Sequence, residues 1–235
     1  MKILISGADR GLGFGMAERL LEKGNTVYAG QYLKAWKDLK DLQEKYPSSL
    51  YIIPLDVADI QSVENAKKMM GETTSFLDMI ICNAGIFEKM QNTPMKTDFD
   101  QMMSIYNINS MGAVRIVESF YQMMSESKVK RFSFVSSEAG SITAAKRVDT
   151  FSYCMSKAAL NMYVKLIYNR LHPTGYSFRL YHPGWIKSYM LGALSEQGEL
   201  SIQEAAELAL NYFLSEEVDE SKLVLYGYDG EIFDF

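Results

Sequence analysis

The stretch SGADRGLGFGMAERL, residues 6–20, joins an apolar run at residues 2–5 to a segment with helical spacing. It carries glycines at positions 7, 11, 13 and 15, four within nine residues. Glycine inside a helix costs about 1 kcal/mol relative to alanine, so these glycines do not serve helix stability. At a turn from strand to helix, small residues let the backbone approach a pyrophosphate, whose charge the N–H groups and dipole of the helix start favour. The stretch therefore predicts a phosphate-binding turn after a first strand.

Composition and charge narrow the class of protein. The 235 residues are 48% hydrophobic and carry a formal net charge of −5, without the basic excess that nucleic-acid and anionic-membrane binders show. Two cysteines, Cys82 and Cys154, and two histidines give no disulfide framework and no metal-ligand spacing, so we predict a reducing compartment and no metal. No apolar run is long enough for a signal-peptide core or for a membrane span of about 20 residues. We expect a cytoplasmic protein that acts on a small molecule, with no membrane or nucleic-acid partner.

Short apolar or β-branched runs alternate along the chain with segments of helical spacing. Most of the runs are continuous rather than alternating, which is typical of strands covered on both faces. This order predicts an α/β fold, a doubly wound parallel sheet of about seven strands with right-handed crossovers and helices on both faces. The predicted strands span residues 2–6, 25–30, 50–53, 77–82, 130–136, 176–182 and 222–227.

The same pattern predicts the helices and the domain organisation. Helical spacing covers residues 13–23 and 151–171, and the capping-box spelling from Ser201 to Glu204 begins a late helix that runs to about Leu214. No linker rich in Pro, Gly or Ser divides the chain, so residues 1–235 are predicted to form one domain. Residues 185–200 are irregular and partly apolar, which favours a lid over a substrate site.

The spelling of the glycine turn indicates a family. The common fingerprint G-x-G-x-x-G fails, because the third glycine position counted from Gly11 holds Met16. The spelling [ST]-G-x-x-x-G-x-G is met by Ser6, Gly7, Gly11 and Gly13. In this respect the chain resembles the short-chain dehydrogenase/reductase family, which implies a single-domain Rossmann-type fold and a nicotinamide dinucleotide cofactor.

Further motifs follow in the order of that family and cover nearly the whole chain. They are Asp56-Val57, Asn83-Ala84-Gly85, the segment 108–112 around Asn109, Ser136-Ser137, the pair Tyr153 and Lys157 in Y-x-x-x-K spacing, and Pro183-Gly184. The cofactor-binding residues that the resemblance implies are Gly7, Arg10, Gly11, Leu12, Gly13, Gln31, Asp56, Val57, Asn83, Ala84, Gly85, Tyr153, Lys157, Pro183, Gly184, Ile186 and Ser188.

Four residues are predicted to be catalytic. Tyr153 and Lys157 are four residues apart and share one face of a predicted helix, so the ammonium can approach the phenol. A free phenol has a pKa near 10 and a nearby cation favours phenolate, so we expect Lys157 to lower the pKa of Tyr153. The resemblance implies that Tyr153 exchanges a proton with a carbonyl oxygen, that Ser137 binds this oxygen, that Lys157 also holds the nicotinamide ribose, and that Asn109 positions a water. Ser136 competes with Ser137, and alignment of the S-S-x-x-G segment favours Ser137.

The chain departs from the family pattern at three places. Tyr153 comes 16 positions after Ser137, a few more than the resemblance implies, so the loop 141–150 is predicted to carry a small insertion. Met155 occupies a position where alanine is usual, and Ser188 replaces a threonine. Serine can still bond a carboxamide, so the change at Ser188 is expected to be benign.

The choice of cofactor depends on the end of the second strand, about 20 residues after the glycine turn. An NAD enzyme would offer Asp or Glu to the ribose hydroxyls there, whereas this chain has Gln31. Arg10, just before Gly11, offers a guanidinium for a 2′-phosphate. We therefore predict that NADP(H) is preferred and that NAD(H) remains possible, with Lys34 and Lys37 in reach only if their loop folds back.

These residues predict an NADP(H)-dependent oxidoreductase that transfers a hydride between nicotinamide and a carbonyl or secondary alcohol. The alternative is a non-catalytic NAD(P)-binding protein of signalling or redox sensing, because the tail at residues 225–232 is similar to C-factor and sniffer-type reductases. Extended epimerases and dehydratases are disfavoured by the spacing of Gly7 and Gly11, and enoyl reductases by the three residues between tyrosine and lysine.

The partners predicted for this enzyme are a small substrate and further copies of the chain. An apolar or partly apolar substrate is expected from the residues predicted around the cleft, which are Met155, Trp185, Tyr189, Met190 and Leu191. The resemblance implies a homodimer or homotetramer that pairs through helices near 97–127 and 151–171, although some relatives are monomers.

Overall fold

Seven parallel strands and one short antiparallel strand form the centre of the computed structural model, which describes residues 1–87, 96–190 and 193–235. Their order across the sheet is β3-β2-β1-β4-β5-β6-β7-β8, and β8 is the antiparallel member. The direction of winding reverses between β1 and β4, and ligands of open α/β sheets bind at such a switch point. The strands are β1 Lys2–Ile5, β2 Thr26–Gln31, β3 Leu50–Pro54, β4 Met79–Cys82, β5 Arg131–Val135, β6 Ser177–His182, β7 Leu225–Gly227 and β8 Ile232–Phe233.

Helices cover both faces of this sheet. One hydrophobic core packs α1, α2 and α7 against it, and the other packs α3, α5 and α6. No helix within the described ranges has the length and apolar character needed to cross a bilayer. The helices are α1 Gly11–Glu22, α2 Asp38–Lys45, α3 Ile60–Gly71, α4 Phe99–Tyr106, α5 Gly112–Phe120, α6 Phe151–Leu171 and α7 Ile202–Leu214, with a π-helix at Asn107–Met111 and 3₁₀ turns at Tyr121–Met124, Glu138–Gly140 and His172–Thr174.

The predicted doubly wound parallel sheet is confirmed, and its seven strands agree with the structure to within a few residues. The helix at 151–171 has the predicted bounds, and the late helix begins with the predicted capping box of Ser201 and Glu204. The first helix begins at Gly11, two residues before the prediction. The eighth strand was not predicted, because two residues are too few for any periodic pattern.

The glycines of the first turn permit a close approach of backbone to backbone. Gly7 and Gly11 have φ of +65° and +58°, a left-handed conformation that favours glycine. A Cβ at Gly13 would lie 2.2 Å from the carbonyl oxygen of Gly7 and 2.5 Å from Nδ2 of Asn83. Gly13 is therefore required by packing between α1 and the turn that precedes it.

We expect Gly13→Ala to lower the free energy of unfolding by about 1–3 kcal/mol or more, because the added methyl group overlaps backbone atoms. Gly71→Ala is the matched control: a methyl group added at this end of α3 meets no other segment within 4 Å, so alanine should be neutral or stabilise by up to about 1 kcal/mol. Urea unfolding followed by circular dichroism measures both. Equal stability of the two variants would contradict the packing argument.

Candidate active site

The turns after β1 and β4 are bound to each other at the switch point. Nδ2 of Asn83 donates to the carbonyl oxygens of Ser6, at 3.1 Å, and Gly7, at 2.9 Å. Oγ of Ser6 accepts from the backbone N–H groups of Asn83 and Ala84, both at 3.1 Å. These four hydrogen bonds fix the glycine turn beside the segment that leads toward the proposed catalytic residues.

The N-terminus of α1 fits the phosphates of a dinucleotide. Arg10 precedes the helix in an extended conformation without a side-chain cap, and the first turn of α1 has no acidic residue. The first N–H groups of a helix have no partner inside it, so they and the dipole favour an anion at this end. The space beside Gly11 is open, since a Cβ added to this glycine would meet nothing within 4 Å. The side chain of Leu12 is buried in the core, so only its backbone is available to contact a cofactor.

Arg10 lies beside a pair of aromatic rings that contact each other. Its Cζ is 5.4 Å from the ring centroid of Trp36 and 5.9 Å from that of Tyr189, and the two rings are 4.9 Å apart. Gln31 at the end of β2 donates through Nε2 to the carbonyl oxygen of Trp36 at 3.3 Å. The structure thus brings Arg10 and Gln31 into one neighbourhood. Sequence reasoning missed Trp36, because nothing in its spacing marks it.

Asp56 and Val57 follow β3 on the same edge of the sheet. Oδ1 of Asp56 accepts from the N–H of Ala58 at 2.8 Å, and the backbone N–H of Asp56 donates to Oγ of Ser62 at 2.9 Å. Val57 is buried, and a Cβ at Gly112 would lie 2.8 Å from its side chain. The adenine-contacting role implied for the pair stays a prediction.

Tyr153, on the first turn of α6, faces Ser137. Its side chain is buried, its ring centroid lies 4.7 Å from that of Phe87, and its hydroxyl is hydrogen-bonded with Ser137. Ser136 points elsewhere, since its Oγ donates to Oδ1 of Asn161 at 2.6 Å. The geometry therefore supports Ser137 over Ser136 as the serine that acts with Tyr153.

Lys157 lies one turn further along α6 and is also buried. Its Nζ is 5.7 Å from the centroid of the Tyr153 ring and donates to the carbonyl oxygen of Val135 at 2.9 Å. It also faces Gly85, where an added Cβ would lie 3.8 Å from Nζ. Burial lowers the pKa of Lys157 to about 8.

The prediction that Lys157 lowers the pKa of Tyr153 is wrong when the residues of this chain alone act on Tyr153. Burial raises the pKa of Tyr153 to about 12, although the hydrogen bond with Ser137 opposes this shift. Desolvation disfavours the phenolate, and the ammonium of Lys157 is directed at Val135. Tyr153 is accordingly a protonated phenol at neutral pH.

Asn109 binds the backbone of Ile86, the residue that follows the Asn83-Ala84-Gly85 turn. Its Oδ1 accepts from the N–H of Ile86 at 2.8 Å, and its Nδ2 donates to the carbonyl oxygen of Ile86 at 2.9 Å and to Oγ of Ser156 at 3.1 Å. Asn109 lies in the π-helix, a distortion that is frequent at functional sites. Its side chain thereby ties three segments of the site together, and its role toward a water stays a prediction.

Three charged or titratable groups gather beside Ser137, none of them predicted as functional. Glu138 accepts hydrogen bonds from Ser137 and from Arg147 of the loop 141–150. Nδ1 of His182, interpreted from the sequence as structural, is 3.4 Å from Oε2 of Glu138. Only the extra length of the loop 141–150 signals this cluster in the sequence.

The segment 185–200 follows Pro183-Gly184 and closes on itself. The N–H of Lys187 donates to the carbonyl oxygen of Leu200 at 2.9 Å, and Ile186 pairs with Leu200 in an isolated bridge. The N–H of Ser195 donates to the carbonyl oxygen of Ser188 at 2.9 Å. Gly184 has φ of +76°, and a Cβ there would lie 2.7 Å from the ring of Tyr228, so the start of the segment is fixed by the C-terminal tail.

The apolar residues predicted around the cleft are not all placed there. Tyr189 packs on Trp36, whereas Trp185 and Met190 are exposed and Leu191 lies outside the described residues. Met155 is half exposed two residues after the buried Tyr153, and two helical positions are about 200° apart around the axis. Met155 therefore does not share a helix face with Tyr153, and its place at the cleft stays a prediction.

Comparisons with known proteins agree with this fold. A family model described as short chain dehydrogenase matches residues 1–199, and the chain belongs to that family. An uncharacterised oxidoreductase of Schizosaccharomyces pombe is 31% identical over 189 residues, which are 80% of this chain and 74% of that protein. The C-signal protein of Myxococcus xanthus is 32% identical over 119 residues, 51% of this chain and 71% of that protein. The crystal structure of an NADPH-bound carbonyl reductase from chicken fatty liver has a TM-score of 0.88 and 27% identity, with 100% of this chain and 98% of that chain covered.

Lys157→Met should raise the free energy of unfolding at neutral pH by about 1 kcal/mol. The variant no longer buries an ammonium, and this gain exceeds the loss of the hydrogen bond to Val135. The lysine titrates near 10.5 in the unfolded chain and at about 8 in the folded one, so the unfolded state binds more protons between these values. The cost of burying the ammonium is therefore full below about 8 and fades as the pH rises toward 10.5. Urea unfolding of both proteins at several pH values measures this difference; a native protein that is the more stable of the two at neutral pH would refute it.

Proposed function

We propose that this protein is an NADP(H)-dependent oxidoreductase that interconverts a carbonyl compound and a secondary alcohol, with Tyr153 as acid and base. One observation carries the proposal: Tyr153, hydrogen-bonded with Ser137 and flanked by Lys157, lies on the sheet edge that also holds the uncapped start of α1. A phosphate site and a proton donor on one edge are what nicotinamide chemistry requires.

Each residue has a role that follows from its position. Bound NADP(H) would supply or accept the hydride at the substrate carbon. In the direction of reduction, the O–H bond of Tyr153 breaks as its proton passes to the carbonyl oxygen, and the raised pKa of Tyr153 ensures that this proton is present at neutral pH. Ser137 fixes the substrate oxygen next to the phenol, as oxyanion-type donors do. By family resemblance, Lys157 also holds the nicotinamide ribose and Asn109 positions a water.

The preference for NADP(H) rests on charge at the end of β2. Gln31 offers no carboxylate that would repel a 2′-phosphate. The guanidinium of Arg10 lies near Gln31, beside the rings of Trp36 and Tyr189. The similar carbonyl reductase from chicken fatty liver binds NADPH, which supports the same preference. NAD(H) is the alternative cofactor.

The substrate is proposed to be small and at least partly apolar, with residues 185–200 as its lid. Tyr189 and Trp36 place aromatic surface between the lid segment and the loop after β2. Such surface favours apolar groups, while Tyr153 and Ser137 provide the few polar contacts that orient a carbonyl.

We further propose that the chain forms a homodimer or homotetramer through α4, α5 and α6. Large apolar side chains are exposed on α4 and α6, and soluble monomers seldom expose them in large contiguous patches. The exposed residues are Phe99, Met103, Met155, Met162 and Leu166.

A second candidate function is a non-catalytic NAD(P)-binding protein that acts in signalling or redox sensing. The similarity to the C-signal protein over about half of the chain favours it. The presence of Tyr153, Lys157, Ser137 and Asn109 in one connected site favours catalysis.

Tyr153→Phe is expected to reduce the oxidation of NADPH by a panel of ketones and aldehydes by a factor of about 10² to 10⁴, because general acid catalysis contributes that much. Tyr168→Phe, on the same helix and remote from Ser137, is the matched control and should keep the native rate. Binding of NADPH, followed by its fluorescence, should survive in both variants. Equal rates in the native protein and Tyr153→Phe would refute the catalytic role, and tight NADPH binding without any turnover would favour the sensor.

Arg10→Ala should weaken binding of NADPH by about 10- to 100-fold and leave binding of NADH nearly unchanged, since a hydrogen bond to a charged group contributes about 1.5–3 kcal/mol. Arg19→Ala, on the exposed side of α1, is the control and should change neither. Fluorescence titration with both cofactors measures the effect. Equal weakening of NADPH and NADH by Arg10→Ala would assign Arg10 to the turn itself and not to the 2′-phosphate.

A further inference from the structure

The side chain of Arg115, on α5, binds two separate segments of the chain. Its Nη1 donates to the carbonyl oxygen of Val57 at 3.1 Å and to that of Asn107 at 3.2 Å. Its Nη2 donates to Oδ1 of Asn107 at 2.6 Å. Nδ2 of Asn107 in turn donates to the carbonyl oxygen of Ala58 at 3.4 Å. Arg115 and Asn107 together therefore fasten the turn after β3 to the start of the π-helix.

Each of the two fastened segments carries a residue of the proposed site. The turn after β3 contains Val57, which is predicted to contact the adenine of the cofactor. The π-helix contains Asn109, whose side chain bonds both backbone groups of Ile86. Arg115 thus connects a residue expected at the adenine end of a dinucleotide with a residue expected beside the reacting groups.

This connection uses a property of the guanidinium group. All three acceptors of Arg115 are neutral oxygens, two of backbone carbonyls and one of an amide side chain. The guanidinium is planar and presents its donors in fixed directions, so two of its nitrogens can bond one residue while one of them also reaches a second segment. The contact therefore fixes the orientation of the two segments as well as the distance between them.

Packing between the same two segments leaves little space for movement. Val57 is buried, and a Cβ added to Gly112, the residue after the π-helix, would lie 2.8 Å from its side chain. Val57 and Asn109 also line one small cavity, together with Ser6 after β1. Because close-packed interiors transmit strain, a displacement of the turn after β3 would reach the π-helix and Asn109.

We infer that Arg115 is a positioning residue that holds the turn at residues 56–58 and the π-helix in one fixed arrangement. This inference rests on the proposed function, because the roles of Val57 and Asn109 belong to it. Arg115 acts on the reaction through the carbonyl oxygen of Val57 and through Asn107. Its loss lets the turn and the π-helix move relative to each other, so both the binding of the adenine half and the rate of the chemical step depend on it.

Arg115→Met keeps an unbranched side chain and removes every donor. We expect the affinity for adenosine 2′,5′-bisphosphate, which is the adenine half of NADP without nicotinamide, to fall by about tenfold. At saturating NADPH, kcat for carbonyl reduction should fall by about 10- to 100-fold, because small displacements of positioned groups have effects of that size. Arg170→Met, at an exposed arginine near the end of α6, is the matched control and should change neither quantity.

Asn107→Ala tests the pairing of Arg115 with the π-helix. It removes the acceptor of Nη2 and the donor to Ala58, so it should reduce the same affinity and the same kcat as Arg115→Met. Because the two residues act through each other, the double variant should lose little more than Arg115→Met alone. Circular dichroism establishes that each variant is folded at the temperature of the assay. Losses whose free energies add in the double variant, or a loss of stability with native affinity and kcat, would overturn the inference.

A readout without turnover separates this inference from the proposed function. Titration calorimetry with adenosine 2′,5′-bisphosphate requires neither hydride transfer nor a carbonyl substrate. If the native protein binds this nucleotide but reduces no carbonyl compound, the proposed function fails, while weaker binding by Arg115→Met still supports the role of Arg115. If the native protein reduces carbonyl compounds and Arg115→Met keeps the native affinity and kcat, the role of Arg115 fails and the proposed function stands. A native protein that does not bind this nucleotide would overturn both the inference and the preference for NADP(H).

Discussion

The site depends on the contact between the turns after β1 and β4. Asn83 donates hydrogen bonds to the carbonyl oxygens of Ser6 and Gly7. Gly13 lies so close to Gly7 that no side chain fits at position 13. Because β1 and β4 are neighbours at the point where the winding reverses, this contact joins the phosphate-binding end of α1 to the segment that reaches Ile86. From Ile86, Asn109 and its bond to Ser156 lead directly to α6, which carries Tyr153 and Lys157. A shift in the first turn would therefore displace Tyr153 relative to the start of α1.

The burial of Tyr153 and Lys157 on α6 costs stability. Burial lowers the pKa of Lys157 to about 8 and raises that of Tyr153 to about 12, so the ionised form of each residue is disfavoured where it lies. Each unit of pKa corresponds to about 1.4 kcal/mol, so these shifts are large against the roughly 5–15 kcal/mol that stabilise a typical domain. The hydrogen bond from Lys157 to Val135 limits this cost, because a buried donor without an acceptor would add to it. The same burial excludes water from the atoms that would exchange the proton.

Much of the fold and the outline of the site could be predicted from the sequence, because both are local. The glycine turn, the Tyr153–Lys157 spacing and the capping box at Ser201 are each encoded within a few residues. The sign of the Tyr153 pKa shift could not be predicted, since residue spacing reports which groups are near and not how far they are desolvated. Trp36 and the cluster of Glu138, Arg147 and His182 were missed for a related reason: their contacts join residues that are distant in sequence and follow no repeating pattern.

The loop 141–150 shows how a contact between distant residues can fix a charge beside Ser137. Glu138 lies directly after Ser137, where its carboxylate would be a partly buried charge without a partner. Arg147 reaches back from the loop to pair with it, while Oγ of Ser141, at the start of the same loop, donates to the carbonyl oxygen of Asp234 in the C-terminal tail. The tail in turn packs Phe233 on His182 and Tyr228 on Gly184, which begins the lid segment. The loop therefore links Glu138, next to Ser137, to the C-terminal tail and through it to Gly184 at the start of residues 185–200.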